Sequence, residues 1–328
     1  MSSRRALVIG GNGVISASVS RLAVELGWEL TLLNRGTQTW RAPIEGARML
    51  VADAADPASI RTAIGGEDFD VVANFQAFRP DQVVSDIETF EGRAGQYLFI
   101  SSASAYQKPI AQLPITEATP LKNPYWDYSR NKIAAEELLV RAYRERDFPI
   151  TIVRPSHTYD ETTVPLWGGW TTLQRLIDGK PIVVHGDGTS WWTMTHSRDF
   201  AVAFLGLWGN PHAIGLPVHI VADEHLTWDG IAAAAGAALG VEPRLVHVAS
   251  EAIAREHPPI GPWLLGDWAH SVCFDTSRIK SLVPGWVATT SFAQGAREFV
   301  AWHLAHPDRQ LVDRELDAAW DRLVGQAA

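Results

Sequence analysis

The chain has 328 residues, 46% hydrophobic and 20% charged, a globular composition with length for roughly two domains of ordinary size. A formal net charge of −9 argues against non-specific binding to nucleic acid or an anionic membrane, and a single cysteine, Cys273, excludes an internal disulfide and fits a reducing cytoplasm. No apolar run is long enough to span a bilayer, and Met1-Ser2-Ser3-Arg4-Arg5 leads into a strand pattern rather than a signal peptide, so a cytoplasmic protein is expected.

The first apolar run, Arg5-Ala6-Leu7-Val8-Ile9, has the character of a buried parallel strand, and Gly10-Gly11-Asn12-Gly13 breaks it. Helical periodicity follows at once, with Ile15, Val19, Leu22, Ala23 and Leu26 on one face and Gly27 as the stop. Further strands are expected over residues 29–33, 48–51, 70–74, 96–100 and 150–154, with helices over 57–64, 81–91 and the uninterrupted segment that begins at Asp127. Strands and helices alternating at this length imply an α/β fold, a doubly wound parallel sheet covered on both faces. After Arg154-Pro155 the regularity loosens and Trp becomes frequent; most of the 14 tryptophans lie beyond residue 160. Helices are expected over 166–178, from Asp199, over 226–239, 291–305 and 308–324, with strands at 182–184, 218–221 and near Leu245. There is no internal repeat or low-complexity linker. Residues 1–160 with 181–221 are expected to form a dinucleotide-binding unit, and 161–180 with 222–328 a substrate-binding cap folded onto it.

Five places in the chain carry chemistry. Gly10-Gly11-Asn12-Gly13-Val14-Ile15-Ser16 stands where a strand turns into a helix, so glycines let the backbone approach a pyrophosphate that the helix N-terminus stabilises. Ser16 replaces the usual third glycine and is small enough to allow close packing. At the end of the second strand an acidic residue would accept from a ribose 2′-hydroxyl; here Asn34 and Arg35 stand instead, and an arginine holds a 2′-phosphate, so NADP is favoured over NAD. Asp53, just past the third strand, is placed either to meet the adenine edge or to cap the helix ahead of Pro57. The fifth strand runs into Ser101-Ser102-Ala103-Ser104-Ala105-Tyr106, at an edge that faces the ligand crevice of an open α/β sheet. In the helix from Asp127, Tyr128 and Lys132 are one turn apart on one face, and a neighbouring cation favours the phenolate.

With these stretches the chain resembles the extended short-chain dehydrogenase/reductase family, also called epimerase/dehydratase-like. The resemblance covers most of the chain. Beyond the stretches above it takes in Arg154-Pro155-Ser156-His157-Thr158-Tyr159, His185-Gly186-Asp187-Gly188, Thr195-His196-Ser197-Arg198-Asp199 and Phe274-Asp275-Thr276-Ser277-Arg278-Ile279. It implies a Rossmann-type fold with a smaller C-terminal cap, Tyr128 as the acid/base, Ser102 as the catalytic hydroxyl, and Lys132 on the nicotinamide ribose, lowering the Tyr128 pKa. It further implies that Gln76 and Ala77 lie beside the cofactor's bridging ribose and phosphate, and Pro155 and His157 beside the nicotinamide.

The departures narrow the reading. Family dehydratases carry an Asp-Glu pair where this chain has Ala103-Ser104, so dehydration is not expected. Nucleotide-sugar epimerases commonly have an Asn at the position of His157, and often an Arg where this chain has Trp191-Trp192. Ser104, Trp167, Trp191 and Trp192 are therefore expected at the substrate, stacking a ring without a nucleotide tail. His185 with His196, and His303 with His306, come nearest to ligand spacing, but no Cys or carboxylate completes a set, and no metal is expected. The expected activity is an NAD(P)-dependent interconversion of a secondary alcohol and a ketone on a small polyhydroxylated or cyclic substrate. The alternatives are a sugar or sugar-nucleotide epimerase with retained cofactor and, from another class, a cofactor-sensing regulatory or RNA-binding protein. Members of that last kind often lose the Tyr-Lys pair, which this chain keeps. No nucleic-acid or membrane partner is expected, and a homodimer would pair residues 127–146 and 81–91.

Overall fold

The computed structural model describes residues 4–38 and 40–327; Thr39, Ala328 and the Met1-Ser2-Ser3 part of the run read above as leading into a strand lie outside the described residues. The first half alternates as the hydrophobic pattern demands: β1 (Arg5–Ile9), α1 (Val14–Glu25), β2 (Glu29–Asn34), β3 (Arg48–Val51), α2 (Pro57–Ile64), β4 (Phe69–Asn74), α3 (Pro80–Phe90), β5 (Ala94–Ile100), α4 (Asp127–Arg146) and β6 (Ile150–Pro155). The second half adds β7 (His157–Tyr159), α5 (Trp170–Ile177), β8 (Ile182–His185), β9 (Trp191–Trp192), β10 (Met194–His196), α6 (Ser197–Gly206), β11 (Pro217–Ile220) and β12 (Leu226–Thr227). It closes with α7 (Trp228–Leu239), β13 (Leu245–Val248), α8 (Ser250–Glu256), α9 (Gly261–Trp263), α10 (Ser277–Leu282), α11 (Phe292–Ala305) and α12 (Arg314–Ala327).

Seven strands form one parallel sheet in the order β11-β6-β5-β4-β1-β2-β3. Its strands read as continuous apolar runs because both faces are covered. In β1, Ala6 and Val8 join a core with α1 and α6, whereas Leu7 and Ile9 join one with α2, α3 and α4. Strand order reverses between β1 and β4, which opens a crevice at the C-terminal edge of the sheet. A third core, rich in indoles (Trp170, Trp192, Trp228, Trp320), holds α5, α7, α11 and α12 together. Within 181–221, grouped above with the dinucleotide-binding unit, β8 pairs with β13 and packs in this third core, while β11 joins the sheet and α6 packs on α1.

Several boundaries move for local reasons. The helix expected from residue 166 begins at Trp170, because Gly168 and Gly169 take left-handed backbone conformations, φ 85° and 55°. The helix expected from 226 begins after Thr227, whose hydroxyl accepts from the Gly230 N–H. The last helix begins at Arg314 rather than 308, where the Asp313 carboxylate accepts from the N–H groups of Glu315 and Leu316. Strands β7, β9, β10 and β12 are two or three residues long, too short for periodicity to reveal.

At Gly295 the helix α11 lies directly on the buried Tyr159 ring of β7, and an added Cβ would overlap the phenol. Gly295→Ala is expected to destabilise the protein by about 1–3 kcal/mol despite the gain in helix propensity. Urea denaturation checks this; an unchanged midpoint would mean that the Tyr159 ring has room to move.

Candidate active site

The glycine turn is shaped by its own residues. Gly10 has φ +83°, and a Cβ there would fall 2.5 Å from Gln76 Cγ. Ser16 does more than permit close packing: its hydroxyl donates to the Gly10 carbonyl at 2.6 Å and accepts from the Gly13 N–H at 2.7 Å. It pins the turn against the N-terminus of α1, where Val14 and Ile15 begin the helix. The turn opens on a cleft of about 710 Å³ whose lining includes Gly10, Gly13, Asn34, Arg35, Asp53 and Gln76.

Two polar atoms on this cleft, Asn12 Oδ1 and Asn34 Nδ2, are buried without a hydrogen-bond partner among the described residues. A dinucleotide, with its pyrophosphate and ribose hydroxyls, offers what these groups and the helix N-terminus lack, so the residues present fit an NAD(P). Arg35 is exposed at the rim and forms no ion pair among the described residues, whereas Arg41 is buried against Asp160 and Arg79 pairs with Asp81. Asp53 lines the cleft and its carboxylate accepts from the Ala55 N–H; the cap of α2 is Asp56 instead.

Tyr128 and Lys132 stand on the first turns of α4, which enters through an Asn turn. The Asn123 side-chain oxygen accepts from the N–H groups of Tyr125 and Trp126, and its amide nitrogen donates to the carbonyls of Ser104 and Gly266. Lys132 is 1% exposed, and its ammonium donates to the carbonyls of Ala77 at 2.7 Å and Ile100 at 2.6 Å. The Nζ lies 4.7 Å from the Phe78 ring centre, 4.8 Å from that of Phe99 and 5.7 Å from that of Tyr128. Ser102 and Ser104 hydroxyls meet at 2.9 Å, and Ser104 continues to Ser129 at 2.7 Å, a chain of hydroxyls along the floor of the site.

A second cleft, of about 450 Å³, opens over Tyr128; it brings together Ser102, Ser104, Tyr128, Pro155, His157 and Trp192. The His157 Nδ1 accepts from the Trp192 indole N–H at 3.2 Å, and burial lowers this imidazole to about 4, so it is neutral. The other two expected tryptophans are elsewhere. Trp191 is 47% exposed, because successive residues of β9 point to opposite sides. Trp167 lies 4.9 Å from Trp320 in a separate hydrophobic cleft. Missed from sequence were Trp126, Trp263, Asp267, Trp268 and Phe274, all lining the Tyr128 cleft. Trp126 was within reach of the sequence, two residues before Tyr128, and Phe274 opens the stretch 274–279 noted there; Trp263, Asp267 and Trp268 come from a distant helical turn with no motif to mark them.

The expected lowering of the Tyr128 pKa by Lys132 is not what this geometry produces. Burial pushes the phenol up to about 12, with Ser102 opposing through a hydrogen bond and Asp267 adding to the rise. Burial also lowers the Lys132 ammonium to about 7, with Glu136 opposing. Desolvation outweighs the neighbouring cation, and the ammonium spends donors on two carbonyls. Behind it the Glu136 carboxylate pairs with Arg154 and accepts from Ser101, which braces α4 against β5 and β6. Among the described residues, no three His, Cys, Asp or Glu side chains stand where they could hold a metal ion.

A model of the NAD dependent epimerase/dehydratase family matches residues 6–222. The chain belongs to this family. It is 28% identical over 261 residues to a chloroplast stem-loop binding protein of Arabidopsis thaliana, a match covering 75% of this chain and 66% of that protein. It is 25% identical over 229 residues to a 2'-dehydrokanamycin reductase of Streptomyces kanamyceticus, covering 68% and 63%. The match thus spans just under two thirds of either relative's length. A UDP-glucose 4-epimerase from Bifidobacterium longum, solved in complex with NAD+ and UDP, shares the fold with a TM-score of 0.72 at 17% identity, over 93% of this chain and 99% of that one.

The depressed Lys132 pKa carries a pH signature. Between about 7 in the folded, cofactor-free protein and roughly 10.4 in the unfolded chain, the unfolded state binds one more proton at this residue. Stability relative to Lys132→Met is therefore expected to rise from pH 7 to 9, by at most about 1.4 kcal/mol per unit. Denaturation at several pH values checks this; a flat difference would show that the carbonyls keep the ammonium charged throughout.

Proposed function

We propose that this protein is an NAD(P)-dependent oxidoreductase that interconverts a secondary alcohol and a ketone on a small polyhydroxylated or cyclic substrate. One observation carries the reading: the Tyr128 phenol, in one cleft with Ser102 and one turn from a buried Lys132, stands at the C-terminal edge of a sheet whose glycine turn fits a dinucleotide. The nicotinamide, when bound, supplies or takes up the hydride. Tyr128 exchanges the proton of the substrate oxygen, and as a phenol that holds its proton at neutral pH it is in the acid form that ketone reduction requires. Ser102 orients that oxygen, with Ser104 and Ser129 fixing the hydroxyl's direction. Lys132 holds the nicotinamide ribose; Gln76, Ala77, Pro155 and His157 flank the cofactor, and Ser104 and Trp192 the substrate. The parallel sheet and its helices form the cofactor-binding unit, and the indole-rich second half the cap. In this reading the protein works in the cytoplasm, and the α3 and α4 faces that expose Val84 and Tyr143 pair in a homodimer.

The epimerase reading draws support from the UDP-glucose 4-epimerase that shares the fold. Against it, two cap arginines, Arg175 and Arg278, are engaged elsewhere: Arg175 with Asp317 and Asp321, Arg278 with the Pro217 carbonyl and Glu117. A diphosphate buried without a cation carries a large desolvation cost. The stem-loop binding relative supports the third reading, on which a net charge of −9 and the retained Tyr-Lys pair weigh negatively.

Tyr128→Phe keeps the ring and removes the proton donor, so kcat is expected to fall by about 10²–10⁴-fold with cofactor affinity nearly intact. Oxidation of NADPH in the presence of cyclic ketones measures it, and turnover within about fivefold of the unaltered protein would remove Tyr128 from this role.

The free Arg35 at the cleft rim supports a preference for NADP over NAD. A charge-assisted bond to a 2′-phosphate predicts that Arg35→Ala weakens NADP binding by about 10- to 150-fold and spares NAD. Calorimetry with both cofactors decides this, and equal losses would assign Arg35 to the fold.

A further inference from the structure

The electrostatics of the Tyr128 cleft are one-sided. Among the described residues that line it there is no Lys or Arg, the neutral His157 adds no charge, and Asp267 is the only carboxylate. Asp267 is held from behind: its Oδ1 lies 3.1 Å from the ammonium of Lys108, whose side chain is fully buried and does not line the cleft. The ion pair thus presents its negative end to the cleft. Asp267 Oδ2 has no hydrogen-bond or ion-pair partner among the described residues, and the side chain keeps 17% of its exposure.

The carboxylate shares the cleft with aromatic rings. Trp126 lies 4.7 Å from the Tyr128 ring, and Trp268 lies 5.1 Å from His157 and 4.3 Å from Trp263. Indole and phenol faces attract a cation through their quadrupoles and repel an anion. The turn bearing Asp267 is fixed before any ligand arrives. Residues Leu264–Trp268 wind as a π-helical turn, and the Gly266 carbonyl accepts from Asn123 at 2.7 Å, tying the turn to the loop that leads into Tyr128. Asp267 and Tyr128 line the same cleft of about 450 Å³, and the carboxylate adds to the rise of the phenol's pKa.

Resting on the oxidoreductase reading for the position of the reacting carbon, we infer that the Tyr128 cleft selects an amine-bearing cyclic alcohol or ketone. The ammonium group of such a ligand binds Asp267 Oδ2 between the Trp126 and Trp268 indoles, while its ring oxygen substituent meets Tyr128 and Ser102. A neutral ring gains the stacking without the charge-assisted bond, and a nucleoside diphosphate meets hydroxyls and a carboxylate but no Lys or Arg among the described lining residues.

Calorimetry on cofactor-saturated protein with a matched pair, trans-4-aminocyclohexanol and trans-cyclohexane-1,4-diol, tests this. The amine is expected to bind at least about tenfold more tightly, and Asp267→Asn to reduce that ratio to near one. Equal affinities, tighter binding of the diol, no heat from the amine, or a preference that survives in Asp267→Asn each overturn the inference. The comparison on the unaltered protein decides the matter even if Asp267→Asn, which leaves Lys108 without its partner, fails to fold. Cofactor reduction by the same two alcohols tests the redox reading separately. Selective binding of the amine without turnover of either alcohol removes the oxidoreductase reading and leaves the cation site; turnover of both with equal affinity does the reverse.

Discussion

A buried ammonium joins the parts of this molecule that chemistry would need. Lys132 Nζ donates to the carbonyl of Ile100, the last residue of β5, and to that of Ala77, three residues past β4. Two neighbouring strand ends and the first turns of α4 are thereby fixed to one point. Removing a charge from water costs several kcal/mol; two bonds to carbonyls and the faces of Phe78 and Phe99 offset part of it, and the remainder lowers the ammonium to about 7. One turn on, Glu136 pairs with Arg154 of β6 and accepts from Ser101 after β5. Breaking such a buried pair by removing one partner typically costs about 3–5 kcal/mol, so α4 cannot drift without a large penalty. The consequence is a Tyr128 phenol carried on a rigid platform at the sheet edge.

From that platform two clefts of different character diverge. The dinucleotide cleft has a glycine turn at a helix N-terminus, orphaned Asn12 and Asn34 side chains, and an arginine at its rim, all suited to anionic and hydroxyl-bearing groups. The Tyr128 cleft has indoles, a neutral imidazole and one carboxylate. Phe78 lines the first and lies 6.3 Å from the ring of Tyr128 in the second, with the Lys132 ammonium over its face. The separation of charge gives the two clefts distinct electrostatic character.

The fold and the pairing of Tyr128 with Lys132 were legible in the chain because they depend on near neighbours in sequence. Parallel strands buried on both faces must be continuous apolar runs, as in Leu7-Val8-Ile9, and Tyr128 and Lys132 share a helix face whatever surrounds them. The glycine turn is likewise a local consequence of a strand meeting a helix. What the pattern could not reach were effects of burial. Tyr128 and Lys132 adjacent in an exposed helix would favour the phenolate; desolvated together beneath the cap, the phenol is raised and the ammonium lowered.

The sequence by itself determined the doubly wound sheet, the dinucleotide turn and the Tyr-Lys-Ser group, since periodicity, glycine placement and helical spacing are properties of short segments. Only the tertiary structure decided which aromatic and charged side chains form the second cleft. Trp167 and Trp191 were as plausible as Trp192 in the chain, and a two-residue strand turned Trp191 outward while Trp167, beside the left-handed Gly168 and Gly169, lines a separate cleft against Trp320. Asp267 and Trp268 reach Tyr128 across about 140 residues because the Asn123 amide holds the Gly266 carbonyl, a contact 143 residues apart. No local pattern encodes a contact of that separation; it exists once the cap has packed onto the sheet.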